Sequence, residues 1–125
     1  MAQSTTLILL PQTSYRNATI IRGSKQPAAA YYLGNQDLQT INWSLSSFKG
    51  TIYIQASLAS NPNEANDDDW FDACPPIEWN QTTYPNGTNG NFFQNLNGNF
   101  VWLRAKVSFG DYNGSGVIQY IKVSY

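Results

Sequence analysis

The segment GNFVWLRAKVSF, residues 98–109, alternates strictly between two sets of side chains. The first set is apolar and consists of Val101, Leu103, Ala105, Val107 and Phe109. The second set is mainly aromatic and cationic and consists of Phe100, Trp102, Arg104, Lys106 and Ser108. Successive side chains of a β-strand point to opposite faces, so this period of two predicts a strand with one face on a core. The aromatic and cationic face is expected to be covered by another chain or to grip a ligand.

Further segments alternate in the same way or lie between turn residues, and none has a helical period. The other predicted strands are residues 5–10, 17–22, 37–46, 51–58, 91–96 and 117–125. About five residues separate residues 37–46 from residues 51–58, which predicts an antiparallel hairpin between them. Asn97 and Gly98 predict a turn that leads into residues 98–109.

The remaining segments set the edges of the fold. Pro75 and Pro76 interrupt residues 70–79, which are therefore expected to form an irregular edge segment. Residues 59–69 and 80–90 have no apolar period and are expected to be loops.

About seven to nine short strands are typical of an all-β, two-layer antiparallel β-sandwich, and we expect a jelly-roll-like arrangement. The length of 125 residues predicts a single domain.

The composition excludes several classes of function. Only 7 Lys and Arg residues stand against 8 Asp and Glu residues, so there is no basic surface to neutralise nucleic-acid phosphates. The chain has no histidine, which removes the commonest general base and metal ligand, and an enzyme is not expected. Cys74 is the single cysteine and cannot form an internal disulfide. Leu7 to Leu10 is too short an apolar run for a signal peptide or a membrane span, so no membrane partner is expected.

Acidic residues are concentrated in one stretch, since six of the eight lie between Glu64 and Glu78. The candidate Ca²⁺ ligands in this stretch are Asp67, Asp68, Asp69 and Asp72. Hard cations need several oxygen ligands, but the spacing does not match a helix-loop-helix calcium site. The favoured interpretation is a solvated turn in which one aspartate caps Trp70, Phe71 or the backbone that follows. No other cofactor is predicted.

Aromatic residues outside the predicted core suggest a second kind of site. A sugar-binding module would stack pyranose rings on two or three of them and bind hydroxyl groups through nearby amides. The candidate partner or glycan contacts are Tyr31, Tyr32, Trp79, Tyr84, Phe92 and Trp102. The favoured alternative is that most of these rings pack in the core or between subunits.

Several longer segments, in the same order along the chain, resemble small virion accessory domains of tailed phages, especially phages of marine cyanobacteria. These segments are residues 28–45, 50–59, 68–73, 98–109 and 116–125. The resemblance implies a non-enzymatic, all-β structural part of a virion, placed either as capsid decoration or in tail and fibre assemblies. A small chain without a shaft or a fused attachment domain favours capsid decoration or cement.

This resemblance also implies a location and a set of partners. The protein is expected to be made in the host cytoplasm and retained in the virion, in contact with the major capsid protein or tail proteins and with further copies of itself. Residues 1–10 are expected to form a docking arm that adds a strand to a neighbour's sheet. Two alternatives stay open: a tail or tail-fibre accessory domain that contacts host glycans, and a free carbohydrate-binding module.

Overall fold

Antiparallel β-strands form most of the chain that the computed structural model describes, which is residues 6–14, 20–29, 38–65, 67–79, 87–109 and 116–125. In chain order these strands are β1 (Thr6–Leu10), β2 (Thr13–Ser14), β3 (Ile20–Arg22), β4 (Gln26–Pro27), β5 (Leu38–Phe48), β6 (Gly50–Ser57), β7 (Phe71–Asp72), β8 (Ile77–Trp79), β9 (Thr88–Asn97), β10 (Trp102–Ser108) and β11 (Val117–Ser124). The first sheet has the order β1-β11-β5-β9, with β2 also paired to β11. The second sheet has the order β3-β10-β6-β7, with β4 paired to β10 and β8 paired to β6. The predicted two-layer antiparallel sandwich is confirmed.

The strand pairs are nested along the chain. Strand β1 pairs with β11, β3 and β4 pair with β10, β5 pairs with β9, and β6 pairs with β7 and β8. Nested pairing of this kind results when one long antiparallel hairpin is rolled into two sheets, which is the jelly roll. The pairing of β11 with β5 joins the β1–β11 and β5–β9 pairs into the first sheet, and the pairing of β10 with β6 completes the second sheet in the same way. The jelly-roll arrangement expected from the sequence is therefore present.

The predicted hairpin between residues 37–46 and residues 51–58 is wrong, because β5 and β6 belong to different sheets. At this junction Ser47, near the end of β5, has a φ of 52°, and Gly50, the first residue of β6, has a φ of 150°. The Phe48 ring between these two residues is fully buried. The chain therefore crosses from one sheet to the other around a core side chain. Alternation cannot distinguish this crossing from a hairpin, since both keep the apolar face of each strand on the core.

The core lies between the two sheets and contains the faces that alternation predicted. In β10, Leu103, Ala105 and Val107 are fully buried, and Phe109 directly after the strand is 2% exposed. The other core side chains of the central strands are Ile41, Trp43 and Leu45 in β5, Ile52, Ile54 and Ala56 in β6, and Ile118, Ile121 and Val123 in β11. Strands β9 and β10 lie in different sheets, so the chain at Asn97 and Gly98 also crosses the sandwich.

The N-terminal strand is part of this core. Strand β1 pairs with β11 from Thr6 opposite Ser124 to Leu10 opposite Ile121. Leu9 is 1% exposed and Leu10 is 3% exposed. Thr6–Leu10 is therefore a strand of this chain's own sheet. Residues 1–5 lie outside the described residues, and the docking arm expected for residues 1–10 stays a prediction.

The edge next to β6 agrees with the prediction for residues 70–79. Strands β7 and β8 are short, both pair with β6, and Pro75 and Pro76 lie between them. Strand β9 is longer than predicted, since it begins at Thr88 inside the segment expected to be a loop. No helix among the described residues is long and apolar enough to cross a membrane.

Candidate functional site

The outward face of β10 is covered at Arg104 and Lys106 by the chain's own acidic loop, residues 58–65 and 67–70. Arg104 points to this side of the second sheet and is nevertheless 0% exposed. Its Nε donates to Gln55 Oε1 at 2.9 Å, its Nη1 to the Glu64 carbonyl oxygen at 3.0 Å and its Nη2 to Asp67 Oδ1 at 2.7 Å. The guanidinium also lies 4.3 Å from the centre of the Trp70 ring, a cation–π contact. At Arg104, the cover expected from another chain is thus provided within the chain.

Asp67 is the acidic centre of this cluster. Its carboxylate accepts hydrogen bonds from Arg22 at 3.1 Å, Arg104 at 2.7 Å and Lys106 at 3.0 Å. The hydrogen bond from Arg22 is the largest cause of a lowered pKa at Asp67, and Lys106 adds to it, although partial burial acts in the opposite direction. The net result moves the pKa of Asp67 from 3.8 to about 2. The carboxylate is therefore ionised at all pH values near neutrality.

Other groups of the acidic loop hold its backbone in place. Asp69 Oδ2 accepts from the Asn63 backbone N–H at 2.9 Å, and the Trp70 indole donates to the Asn63 carbonyl oxygen at 2.8 Å. Glu64 Oε1 accepts from the Lys25 backbone N–H at 2.6 Å. The loop is thus anchored both to itself and to the segment that follows β3.

The structure does not bring the four candidate calcium ligands together. Asp67 faces three cations, Asp69 accepts from the loop backbone, and Asp72 lies in β7. In the part of the chain that the structure describes, no three acidic or thiol side chains form a group that could hold a metal ion. Asp69 accepts a hydrogen bond from backbone, as the favoured interpretation expects, but the donor is Asn63, which precedes it, whereas the sequence predicts Trp70, Phe71 or the backbone that follows.

Four of the six predicted contact residues cannot be assigned a surface. Tyr31, Tyr32 and Tyr84 lie outside the described residues. Trp79 is the last residue of β8, and its backbone lies opposite Gly50 of β6. These four residues stay predictions.

The other two predicted contacts are engaged within the fold. Phe92 is half-buried and stacks on the core residue Trp43, with ring centres 6.1 Å apart. Trp102 is half-buried as well, and the Lys25 ammonium group lies 4.8 Å from its ring centre. Neither ring is an open platform in this structure.

A surface that the predictions missed is the outward face of the first sheet, which we name the neutral face. Its members are Thr6, Ile8, Thr40, Asn42, Ser44, Asn91, Phe93, Asn95, Tyr120, Lys122 and Ser124. One row crosses all four strands, with Ile8 opposite Lys122, Lys122 opposite Asn42, and Asn42 opposite Phe93. Phe93 is 70% exposed and Ile8 is 52% exposed. Lys122 is the one charged member of this set, and its ammonium group lies 4.2 Å from the Tyr120 ring centre.

Hydrogen bonds hold the amides around Phe93 in fixed orientations. Thr40 Oγ1 donates to Asn95 Oδ1 at 2.8 Å, and Asn42 Nδ2 donates to Asn91 Oδ1 at 2.6 Å. These bonds use the oxygens of Asn91 and Asn95 and not their NH₂ groups.

The phase of β9 could have identified this face from the sequence, because counting back by two from the buried Leu96 places position 92 inward and position 93 outward.

No protein-family model matches the chain, and no curated protein matches it at a significant level.

Proposed function

We propose that this chain is a non-enzymatic structural protein of a tailed-phage virion, with capsid decoration or cement as its role. It would be made in the host cytoplasm and retained in the virion through contacts with the major capsid protein. The observation that carries the proposal is a jelly roll with two different outer faces, one closed by the acidic loop and one left as the neutral face. By analogy of fold alone, jelly rolls recur in viral coats and lectins.

The neutral face has the chemistry of a docking surface on a particle. Phe93 and Ile8 project from it, and covering a ring such as Phe93 contributes about 2 kcal/mol. Asparagine and threonine side chains surround them and can exchange hydrogen bonds with water for bonds with a partner. Since the face carries a single charge, attachment through it is expected to change little with ionic strength.

Cryo-electron microscopy of particles that lack the protein, incubated with the purified chain, tests this proposal. Added density at repeating positions of the icosahedral shell supports decoration, whereas density confined to the tail supports a tail or fibre accessory domain. The absence of added density on any part of the particle refutes the virion role. Phe93→Asn is expected to reduce the occupancy of the protein on the particle. Leu58→Asn is the matched control, because Leu58 is also an exposed apolar residue, at 63%.

A second candidate function, glycan binding, is favoured by the surroundings of Phe93. The exposed ring lies between Asn91 and Asn95 on the same face of β9, about 7 Å from each along the strand. Sugars bind to proteins by stacking on a ring and by hydrogen bonds to amides at its sides. The role applies either to a tail accessory domain or to a free carbohydrate-binding module. A glycan array with wild type, Phe93→Ala and Leu58→Ala distinguishes it, because only Phe93→Ala should lose the signal.

A further inference from the structure

Within the part of the chain that the structure describes, strand β9 forms an edge of the first sheet without the usual protection against pairing with another chain. Among the described strands it pairs with β5 alone. It is ten residues long, and eight consecutive residues, from Gly90 to Asn97, pair with β5 without interruption. The sequence TNGNFFQNLN contains neither proline nor a charged residue, which are the groups that normally block edge pairing.

The other sheet edges carry such protection. Strand β1 has five residues, a register shift between Ile8 and Leu10, and Pro11 directly after it. Strand β3 has three residues. Strands β7 and β8 have two and three residues and are separated by Pro75 and Pro76. The contrast between β9 and the other edges indicates that β9 is kept available for pairing.

We propose that β9 pairs antiparallel with β9 of a second copy of this chain, about a two-fold axis that passes through the Phe93 pair. The two first sheets then form one continuous sheet, and the two neutral faces lie side by side. This interface deepens the proposed function, on which its biological use rests, by naming the surface through which copies associate on a particle.

The sequence of the strand explains why the occupant is a second copy. An interface on a two-fold axis must be complementary to itself. The outward row Asn91, Phe93, Asn95 is symmetric about Phe93, so the axis places Phe93 opposite Phe93 and each Asn91 opposite the second copy's Asn95. No charged side chain occurs in β9, so no like charges meet across the axis. Pairing also brings together two rings that are each 70% exposed in the single chain.

Sedimentation equilibrium and native mass spectrometry of charge variants test the proposal. The wild-type chain is expected to dimerise. Phe93→Lys, and separately Phe93→Glu, should each raise the dimer dissociation constant at least about tenfold, because like charges then face each other. An equal mixture of the two variants should recover the dimer as a heterodimer. Asn95→Lys on the same edge provides a second variant, and Leu58→Lys outside this edge should dimerise as the wild type does.

Three results would overturn the proposal: a wild-type chain that stays monomeric at high concentration, equal association of Phe93→Lys and Leu58→Lys, or an equal mixture of the two Phe93 charge variants that does not associate. Circular dichroism establishes that each variant is folded before association is compared. A monomer that still decorates particles refutes the β9 interface and leaves the virion role standing. A β9 dimer that binds no particle refutes the virion role and leaves the interface standing.

Discussion

Replacing Asp67 with asparagine keeps the shape of the side chain and removes the carboxylate that Arg22, Arg104 and Lys106 share. Removing one partner of a fully buried ion pair costs about 3–5 kcal/mol, and an exposed pair contributes about 0–1 kcal/mol. Asp67 lies between these limits, because its side chain is 41% exposed while that of Arg104 is 0% exposed. We expect Asp67→Asn to lower the free energy of unfolding by about 2 kcal/mol and the melting temperature by about 8 °C.

Urea denaturation followed by tryptophan fluorescence measures this loss, with Asp72→Asn as the control. Asp72 lies in the exposed edge strand β7, so the same change of charge there should alter stability by less than about 0.5 kcal/mol. Equal unfolding midpoints for the two variants would refute the inference that the Asp67 network stabilises the acidic loop. A double-mutant cycle with Lys106→Met separates the contribution of one ion pair.

The pH dependence of stability gives an independent check on the same residue. The pKa of Asp67 is about 2 in the folded chain, against 3.8 as its ordinary value, so the unfolded chain binds more protons between these values. The resulting stabilisation is complete above about pH 4 and is lost as the pH falls towards 2. The shift corresponds to about 2.4 kcal/mol for a buried group, and solvent screening of the 41% exposed side chain reduces it to about 1 kcal/mol. Asp67→Asn should lack this dependence, and Asp72→Asn should retain it.

Three further predictions concern residues outside the cluster. Leu9→Ala should lower the free energy of unfolding by about 3 kcal/mol, because Leu9 is in the core. The same change at the exposed Ile8 should cost little, and equal losses in urea denaturation would contradict this placement. Gly87→Ala should cost at least about 2 kcal/mol by the same assay, since Gly87 has a φ of 77° and an added Cβ would collide with the Ser47 backbone; an unchanged midpoint would exclude that conformation. Burial raises the pKa of the Cys74 thiol, and Asp72 adds to the effect. Alkylation of Cys74 by iodoacetamide at neutral pH should therefore be slower than alkylation of a free thiol, and an equal rate would contradict the burial.

At the candidate sites, the sequence pattern predicts the face on which a side chain lies but not the residues that it contacts. Alternation placed Arg104 on the outward face of β10, as observed, but the groups that bury it come from Gln55, Glu64, Asp67 and Trp70, at least 34 residues away in the sequence. The four aspartates are close in sequence, yet neighbouring residues of a loop point in different directions, and they find different partners. The adjacent aromatics Phe92 and Phe93 carry no phase by themselves, and the structure shows that Phe92 is half-buried and Phe93 exposed.

The amino-acid sequence by itself determined the all-β class, the absence of a helical period and the apolar faces of β5, β6, β10 and β11. These properties follow from the order of apolar and polar side chains along one strand, which has a period of two. Only the tertiary structure decided that β5 crosses to β6, that β1 joins its own core strand β11, and that β9 is left at an edge. Backbone hydrogen-bonding groups are the same in every residue except proline, so strand pairing depends on how the two faces close around a shared core.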